Sequence, residues 1–229
     1  MVLIHSPLVG PLTWRAVARS LEAEGRTAVV PDLTAAVANG PPYEPALRAA
    51  VAAAVEHAAP GKPLVLVGHS AAGPLLPGIA DRIGATVRGV VYVDSVLPHP
   101  GESWFDRAPD ELAAHVRALA EDGVLPPWHE WFEPGAVDEL LRDPELRREF
   151  VAEVPRLPLT YFEERRSGSG WVGPSAYLLL SDVYRDEAAR AGALGMPVLE
   201  RLGHHLAMLT EPEVVGAALQ RLLGMPADG

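Results

Sequence analysis

Ser70 is the side chain around which chemistry can be organised in this chain, in the run Val67-Gly68-His69-Ser70-Ala71-Ala72-Gly73. A serine hydroxyl is a weak nucleophile until a general base stands within hydrogen-bond reach, and it then supports acyl transfer. Residues 64–67, Leu-Val-Leu-Val, read as a strand buried on both faces, and Leu75, Leu76, Ile79 and Ile83 recur at helical spacing. Ser70 therefore falls at a corner between a strand and a helix. A turn that sharp needs small residues two before and two after the serine. Gly68 and Ala72 meet the need, which is the G-x-S-x-G pattern with Ala in the last slot and Gly73 behind it. Such a corner lifts the hydroxyl above the sheet and aims the new helix's N-terminus at the reacting atoms.

The base and its orienting acid belong at other strand ends, because open parallel sheets gather reactive groups at their carboxyl edge. The strand ends legible here are His5-Ser6, Asp32, Gly68 to Ser70, Asp94, Ser181-Asp182 and His204-His205. Serine, acid and histidine thus occur in the chain order that this architecture uses. Two carboxylates compete for the acid, Asp94 and Asp182, and Asp182 also reads as the N-cap of the helix that follows it. With eight histidines a single one says little, but a His-His pair between the last strand and the last helix is less neutral.

The elements that position these groups alternate. Strands are expected at residues 2–4, 27–30, 64–67, 87–93, 176–180 and 197–202. Helices are expected from Thr13, over 43–58, after Ser70, and over 184–193 and 211–223. Strand–helix alternation predicts an α/β fold with a mostly parallel, doubly wound sheet. Between residues 98 and 173 the rhythm breaks into short helical patterns cut by Pro and Gly, carrying Trp104, Trp128, Trp131 and Trp171, all but one of the five tryptophans. This block is read as an insertion within a single domain spanning 1–229.

A chain of 229 residues, 48% hydrophobic, buries one substantial core. A net charge of −11 speaks against nucleic acid and anionic membrane surfaces as partners. No cysteine is present, no basic leader precedes the first strand, and no apolar run is long enough to span a bilayer. A cytoplasmic protein acting on a small molecule is expected, and the oligomeric state is not legible.

Taken together, five segments resemble the α/β-hydrolase superfamily over nearly the whole chain. They are Ile4-His5 with Trp14, Val30-Pro31-Asp32-Leu33, Gly68 to Gly73, residues 91–98 (Val-Tyr-Val-Asp-Ser-Val-Leu-Pro), and Gly203-His204-His205-Leu206 leading to Glu211-Pro212. The sequence is similar in particular to the small, short-capped branch of plant methyl-ester esterases and hydroxynitrile lyases. The resemblance implies an α/β-hydrolase fold with a helical cap between the strand ending at Asp94 and the strand near Ala176, and it implies no metal or organic cofactor. It implies Ser70 as nucleophile. His205 is implied as base, since the family commonly places a proline seven residues beyond that histidine and Pro212 fits. The family's usual acid follows the next-to-last strand, where Asp182 stands somewhat early. Some relatives, the haloalkane dehalogenases among them, place it after the preceding strand, where Asp94 stands. Asp94 is favoured over Asp182, with Asp186 a distant third.

The resemblance also implies an oxyanion hole in which Ala71 N–H is one donor. The second usually comes from the position that is Pro7 here, and proline has no N–H. Unless Leu8 donates after a loop shift, or Ser6 supplies its hydroxyl, the hole has one backbone donor fewer, which counts against efficient ester hydrolysis. Related lyases carry threonine at the Ser6 position, but they also place lysine where this chain has Leu206, so cyanide release is not implied. His5, Ser6, Pro7 and His69 are expected to border the substrate. About half of the cap aromatics Trp104, Trp128, Trp131, Phe132, Tyr161 and Phe162 are expected to roof it, the others forming the cap's own core. The expected activity is cleavage of an ester or related acyl bond in a small, partly apolar molecule. A non-hydrolytic lyase, elimination or cyclisation reaction on the same scaffold, and a receptor-like binding protein, stand as alternatives.

Overall fold

The computed structural model describes residues 1–38, 40–83, 87–167 and 170–224. The expected domain 1–229 and insertion 98–173 include a few residues outside these. In chain order the elements are β1 (Val2–Ile4), α1 (Leu12–Ala23), α2 (Thr34–Ala38), α3 (Tyr43–Ala58), β2 (Leu64–His69), α4 (Leu76–Ile83) and β3 (Val87–Val93). There follow α5 (Trp104–Arg107), α6 (Asp110–Leu119), α7 (Ala136–Leu140), α8 (Pro144–Glu153) and α9 (Leu159–Glu163). The chain ends with β4 (Ser175–Leu179), α10 (Arg185–Ala193), β5 (Val198–Glu200), α11 (Ala207–Thr210) and α12 (Pro212–Leu222). Short 3₁₀ turns at Ser70–Leu75, Trp128–Glu130 and Asp182–Tyr184 link several of them.

The five strands pair in parallel in the order β1-β2-β3-β4-β5. Their side chains alternate between two cores, apart from an irregularity where β2 and β3 begin. Ile4, Leu66, Tyr92 and Leu179 face a core closed by α3 and α4, whereas Leu3, Val67, Val91 and Leu178 face one closed by α1 and α12. Both faces are therefore apolar, which is why the strand sequences read as continuous apolar runs. Fully burying one such side chain contributes roughly 1.5–3 kcal/mol.

The strand expected at 27–30 is reduced to a single parallel bridge, Val2 to Val29. Its neighbour β1 offers only three residues, and Pro31 lacks the N–H that would extend the ladder.

Residues between β3 and β4 form a layer of five short helices over the carboxyl ends of the strands. A third core, with Val137, Leu141, Phe150 and Val154, packs it against Val9 and Leu206, the residue after His205. Two carboxylates dock it further. The helices α1 and α3 begin after Pro11 and Pro42, and neither proline can cap with its side chain. Glu153 instead accepts from Leu12 N–H at 2.7 Å and pairs with Arg15 at 2.6 Å. Glu164 accepts from the N–H groups of Tyr43 (2.7 Å) and Glu44 (2.6 Å). Each carboxylate thus satisfies orphan donors at a positive helix end.

Candidate active site

The corner after β2 forces Ser70 to a φ of 55°, in the left-handed region that an L side chain enters only with strain. Its surroundings hold it there. Ser95 Oγ donates to Ser70 O at 2.6 Å, and Val96 O lies 3.0 Å from the same hydroxyl. Gly73 lets the turn approach them, since a Cβ there would stand 1.9 Å from Ser95 Oγ and 2.6 Å from Val96 O. The hydroxyl of Ser70 thereby reaches a cavity of about 460 Å³ beneath the helical layer.

Asp94, at the end of β3 with a φ of 44°, is fully buried. Its Oδ1 accepts from the N–H groups of Leu180 (2.8 Å) and Ser181 (2.9 Å). Its Oδ2 accepts from the Ser181 hydroxyl at 2.5 Å and stands 2.8 Å from His205 Nδ1. Nδ1–H donating to this carboxylate leaves the lone pair of His205 on Nε2, the arrangement a general base requires.

The imidazole of His205 is clamped on several sides. Tyr184 stacks on it with ring centres 5.1 Å apart, and Trp128 lies at 6.1 Å. His69, 4.4 Å away by ring centres, donates from Nε2 to His205 O at 3.0 Å. Burial first, and the neighbouring His205 second, hold the His69 imidazole well below its ordinary value, so it stays neutral. The Tyr184 hydroxyl lies 3.4 Å from Ser70 Oγ, and burial pushes its ionisation up to about 12, so it remains a proton donor.

Beside Ser70 a recess of about 10 Å³, the size of one oxygen atom, is bordered by Ser6, Leu8, His69 and His205. Leu8 N–H donates to Ser6 Oγ at 3.2 Å. That bond occupies a lone pair of Ser6 and leaves its hydroxyl proton to point elsewhere.

The sequence-predicted residues divide. Ser70, His205 and Asp94 converge, and Trp104, Trp128, Trp131, Phe132 and Tyr161 line the cavity with Leu8 and Ala71. Asp182 does not join them. It is exposed at the start of a 3₁₀ turn and pairs with Arg185 at 2.5 Å. Asp186 is likewise exposed, in the first turn of α10. His204 donates to Thr210 at 2.9 Å and accepts from Leu206 N–H. His5 is drawn away from substrate contact. Fully buried, it donates to Ser6 O at 2.8 Å and accepts from Leu33 N–H at 3.1 Å, tying the loop after β1 to the chain after Pro31. Pro7 is buried in the same loop, and Phe162 packs behind Trp104 and Trp131 in the core. Tyr184, His99 and Arg166 also line the cavity. Of these only Tyr184 had a signal in the sequence, its place just beyond β4.

Among the described residues, no cluster of three or more His, Asp or Glu side chains is arranged to hold a metal, and no helix is long and apolar enough to cross a membrane.

A parallel sheet with a strained serine at a strand–helix corner, and an imidazole and carboxylate at two further strand ends, defines the class of α/β-hydrolase folds. The chain belongs to the alpha/beta hydrolase family, whose model matches residues 1–218. An extracellular alpha/beta-hydrolase from a Paenibacillus species, reported to share structural and functional homology with tobacco salicylic acid binding protein 2, is similar in structure. Its TM-score is 0.77 at 18% identity, over 96% of this chain and 97% of that one. Polyneuridine aldehyde esterase is similar with a TM-score of 0.69 at 16% identity, over 97% and 98%. At such identities the likeness establishes the fold. A carbendazim hydrolyzing esterase of Nocardioides sp. (strain SG-4G) is 40% identical over 55 residues, 24% of this chain, so the match spans about a quarter (23%) of that enzyme's length.

Proposed function

We propose that this protein is a single-domain serine esterase that cleaves an ester or related acyl bond of a small, largely apolar molecule. The observation that carries the reading is the 2.8 Å contact of His205 Nδ1 with a buried Asp94, on the same cavity as the strained Ser70. Ser70 Oγ turns from Tyr184 toward His205 and attacks the acyl carbonyl, while His205 Nε2 takes its proton. Ala71 N–H and the Ser6 hydroxyl stabilise the oxyanion in the recess beside Ser70, with Leu8 N–H orienting Ser6. Collapse of the tetrahedral intermediate expels the alcohol, protonated by His205. A water activated by the same imidazole then frees the acid, with Asp94 stabilising the imidazolium throughout. A cavity of about 460 Å³ with mostly apolar walls suits such a substrate. The short carbendazim-esterase match and the esterase among the structural neighbours agree with this chemistry.

A second reading has one observation in its favour. Leu8 N–H is engaged by Ser6 Oγ rather than directed freely at a substrate oxygen. A non-hydrolytic reaction would use His205 as base, with the Ser6 and Ser70 hydroxyls holding the substrate oxygen.

Labelling with a fluorophosphonate, alongside turnover of p-nitrophenyl esters, decides between them. The esterase reading predicts labelling of Ser70 that is lost in Ser70→Ala and His205→Ala. Folded protein that neither labels nor cleaves any of the esters overturns it.

A further inference from the structure

The cavity that contains Ser70 is apolar except for two polar groups of walls. One is the reactive end, Ser70, Tyr184 and His205. The other comprises Arg166, Tyr161 and His99, which belong to the helical layer and the loop leading into it. Arg166 is 5% exposed, yet its Nη1 has no hydrogen-bond partner among the described residues. The Tyr161 hydroxyl has Arg166 as its polar side-chain neighbour, in loose geometry, and neither it nor His99 Nε2 makes a well-formed hydrogen bond. Among the described residues, these three atoms border one cavity.

The three are linked. The Arg166 guanidinium carbon sits 4.9 Å from the Tyr161 ring centre. Arg166 is pinned at its backbone, donating to Glu102 O at 3.0 Å and accepting from Gly101 N–H at 2.9 Å. His99 Nδ1–H donates to Leu97 O at 3.2 Å, which leaves a lone pair on Nε2. Burial first, with Arg166 among the lesser causes, keeps that imidazole below its ordinary value and neutral. The two carboxylates near Tyr161 are engaged elsewhere. Glu164 caps α3, and Glu44 binds Ser167 and Arg48. A guanidinium taken out of water without a counter-ion is costly, and unmade buried hydrogen bonds each add roughly 1–3 kcal/mol. An oxyanion between Arg166 Nη1 and the Tyr161 hydroxyl offsets both costs. The lone pair of His99 Nε2 marks where a ligand O–H or N–H would lie.

We propose that Arg166 and Tyr161, with His99 beside them, form a carboxylate-recognition subsite at a distance from Ser70. The substrate class is then an acyl ester that carries a free carboxylate on an apolar frame. The reactive end of this inference rests on the serine-esterase reading, but the subsite does not. In a chain with a net charge of −11, one buried guanidinium supplies the attraction for an anion that the protein's overall field opposes.

Monomethyl and dimethyl esters of the straight-chain diacids from adipic to sebacic separate the two ideas. Turnover is measured with wild type. Binding is measured with the Ser70→Ala protein through the fluorescence of Trp104, Trp128 and Trp131. The expected result is that, at the chain length that spans the cavity, the monoanionic half-ester exceeds its diester roughly tenfold or more in kcat/KM and in affinity, as a charge-assisted bond allows. Arg166→Met brings that ratio to about one, and Arg166→Lys restores part of it. Equal turnover and equal binding of half-ester and diester across the series in wild type overturn the subsite, a result that needs no variant to fold. Absent turnover with an Arg166-dependent binding preference overturns the esterase reading and supports the subsite. Absent turnover and no binding preference overturn both.

Discussion

The phenol ring of Tyr184 lies on the imidazole of His205 with planes 10° from parallel, while its hydroxyl reaches to within 3.4 Å of Ser70 Oγ. One side chain thus touches both the proposed nucleophile and its base. Removing only the hydroxyl preserves the stack and frees Ser70 to turn to His205, so Tyr184→Phe should keep kcat within about threefold of wild type. Tyr184→Ala loses the stack, an interaction of roughly 0.5–1.5 kcal/mol, and should lower kcat about tenfold. A Phe variant as impaired as the Ala variant would assign the hydroxyl itself a catalytic role.

The proposed role of Asp94 in orienting His205 is tested by a contrast of two isosteric changes. Asp94→Asn presents an amide to Nδ1 and favours the wrong tautomer, which should reduce kcat by roughly 10⁴. Asp182→Asn removes an exposed ion pair with Arg185, of the kind that contributes about 0–1 kcal/mol, and should leave kcat within about twofold. Steady-state kinetics on one p-nitrophenyl ester suffices for both.

Ser6→Ala leaves Leu8 N–H without its acceptor and takes the proposed second oxyanion donor from the recess. Loss of one such donor costs roughly 10²–10³ in turnover. A fall in kcat at nearly constant KM is expected. A threefold fall or less would return the role to backbone donors.

Acid should destabilise the fold through its buried imidazoles. His5 and His69 are held below the ordinary value of 6.5, chiefly by burial. Below that pH the unfolded chain takes up protons that the folded chain refuses. Their stabilising contribution is therefore complete above about 6.5 and declines as pH falls beneath it, by as much as about 1.4 kcal/mol per pH unit for each group. Urea midpoints at pH 7, 6 and 5 should decrease in that order, and His69→Gln should flatten the decline. A midpoint independent of pH across this range would contradict the assignment.

Gly73→Ala puts a Cβ against Ser95 Oγ and Val96 O. Overpacking of this kind typically costs about 1–3 kcal/mol, visible as a lowered Tm. Adding Ser95→Ala removes one of the colliding atoms, so the double variant should lose less stability than the sum of the two single ones.

The features that chain-local patterning could reveal were the ones set by strand–turn–helix chemistry. Gly68, Ser70, Ala72 and Gly73 announce the corner because sterics there admit few residue types. The His204-His205 pair announces the loop before the last helix. The choice between Asp94 and Asp182 was harder, since both follow strands. What separates them is the convergence of Leu180, Ser181 and His205 on one carboxylate, and no local pattern encodes that meeting of distant segments. Arg166 and His99 gave no sign at all, because each is a single polar residue whose burial depends on how the short helices pack. His5 illustrates the reverse. A histidine at a strand end suggested substrate contact, whereas its two ring nitrogens are taken up holding a loop.

Glu153 and Glu164 finish helices to which they do not belong, α1 and α3, whose own N-caps are prolines. The roof over the cavity is therefore no detachable accessory. A chimera that received a roof from a relative would expose two uncapped helix ends beside its cavity unless the donor segment delivered a carboxylate to each. Gly10 narrows the choice further, because a Cβ there would sit 2.3 Å from Glu153 Cβ. In recombining such proteins, the unit of inheritance is the roof together with the two helix starts beneath it.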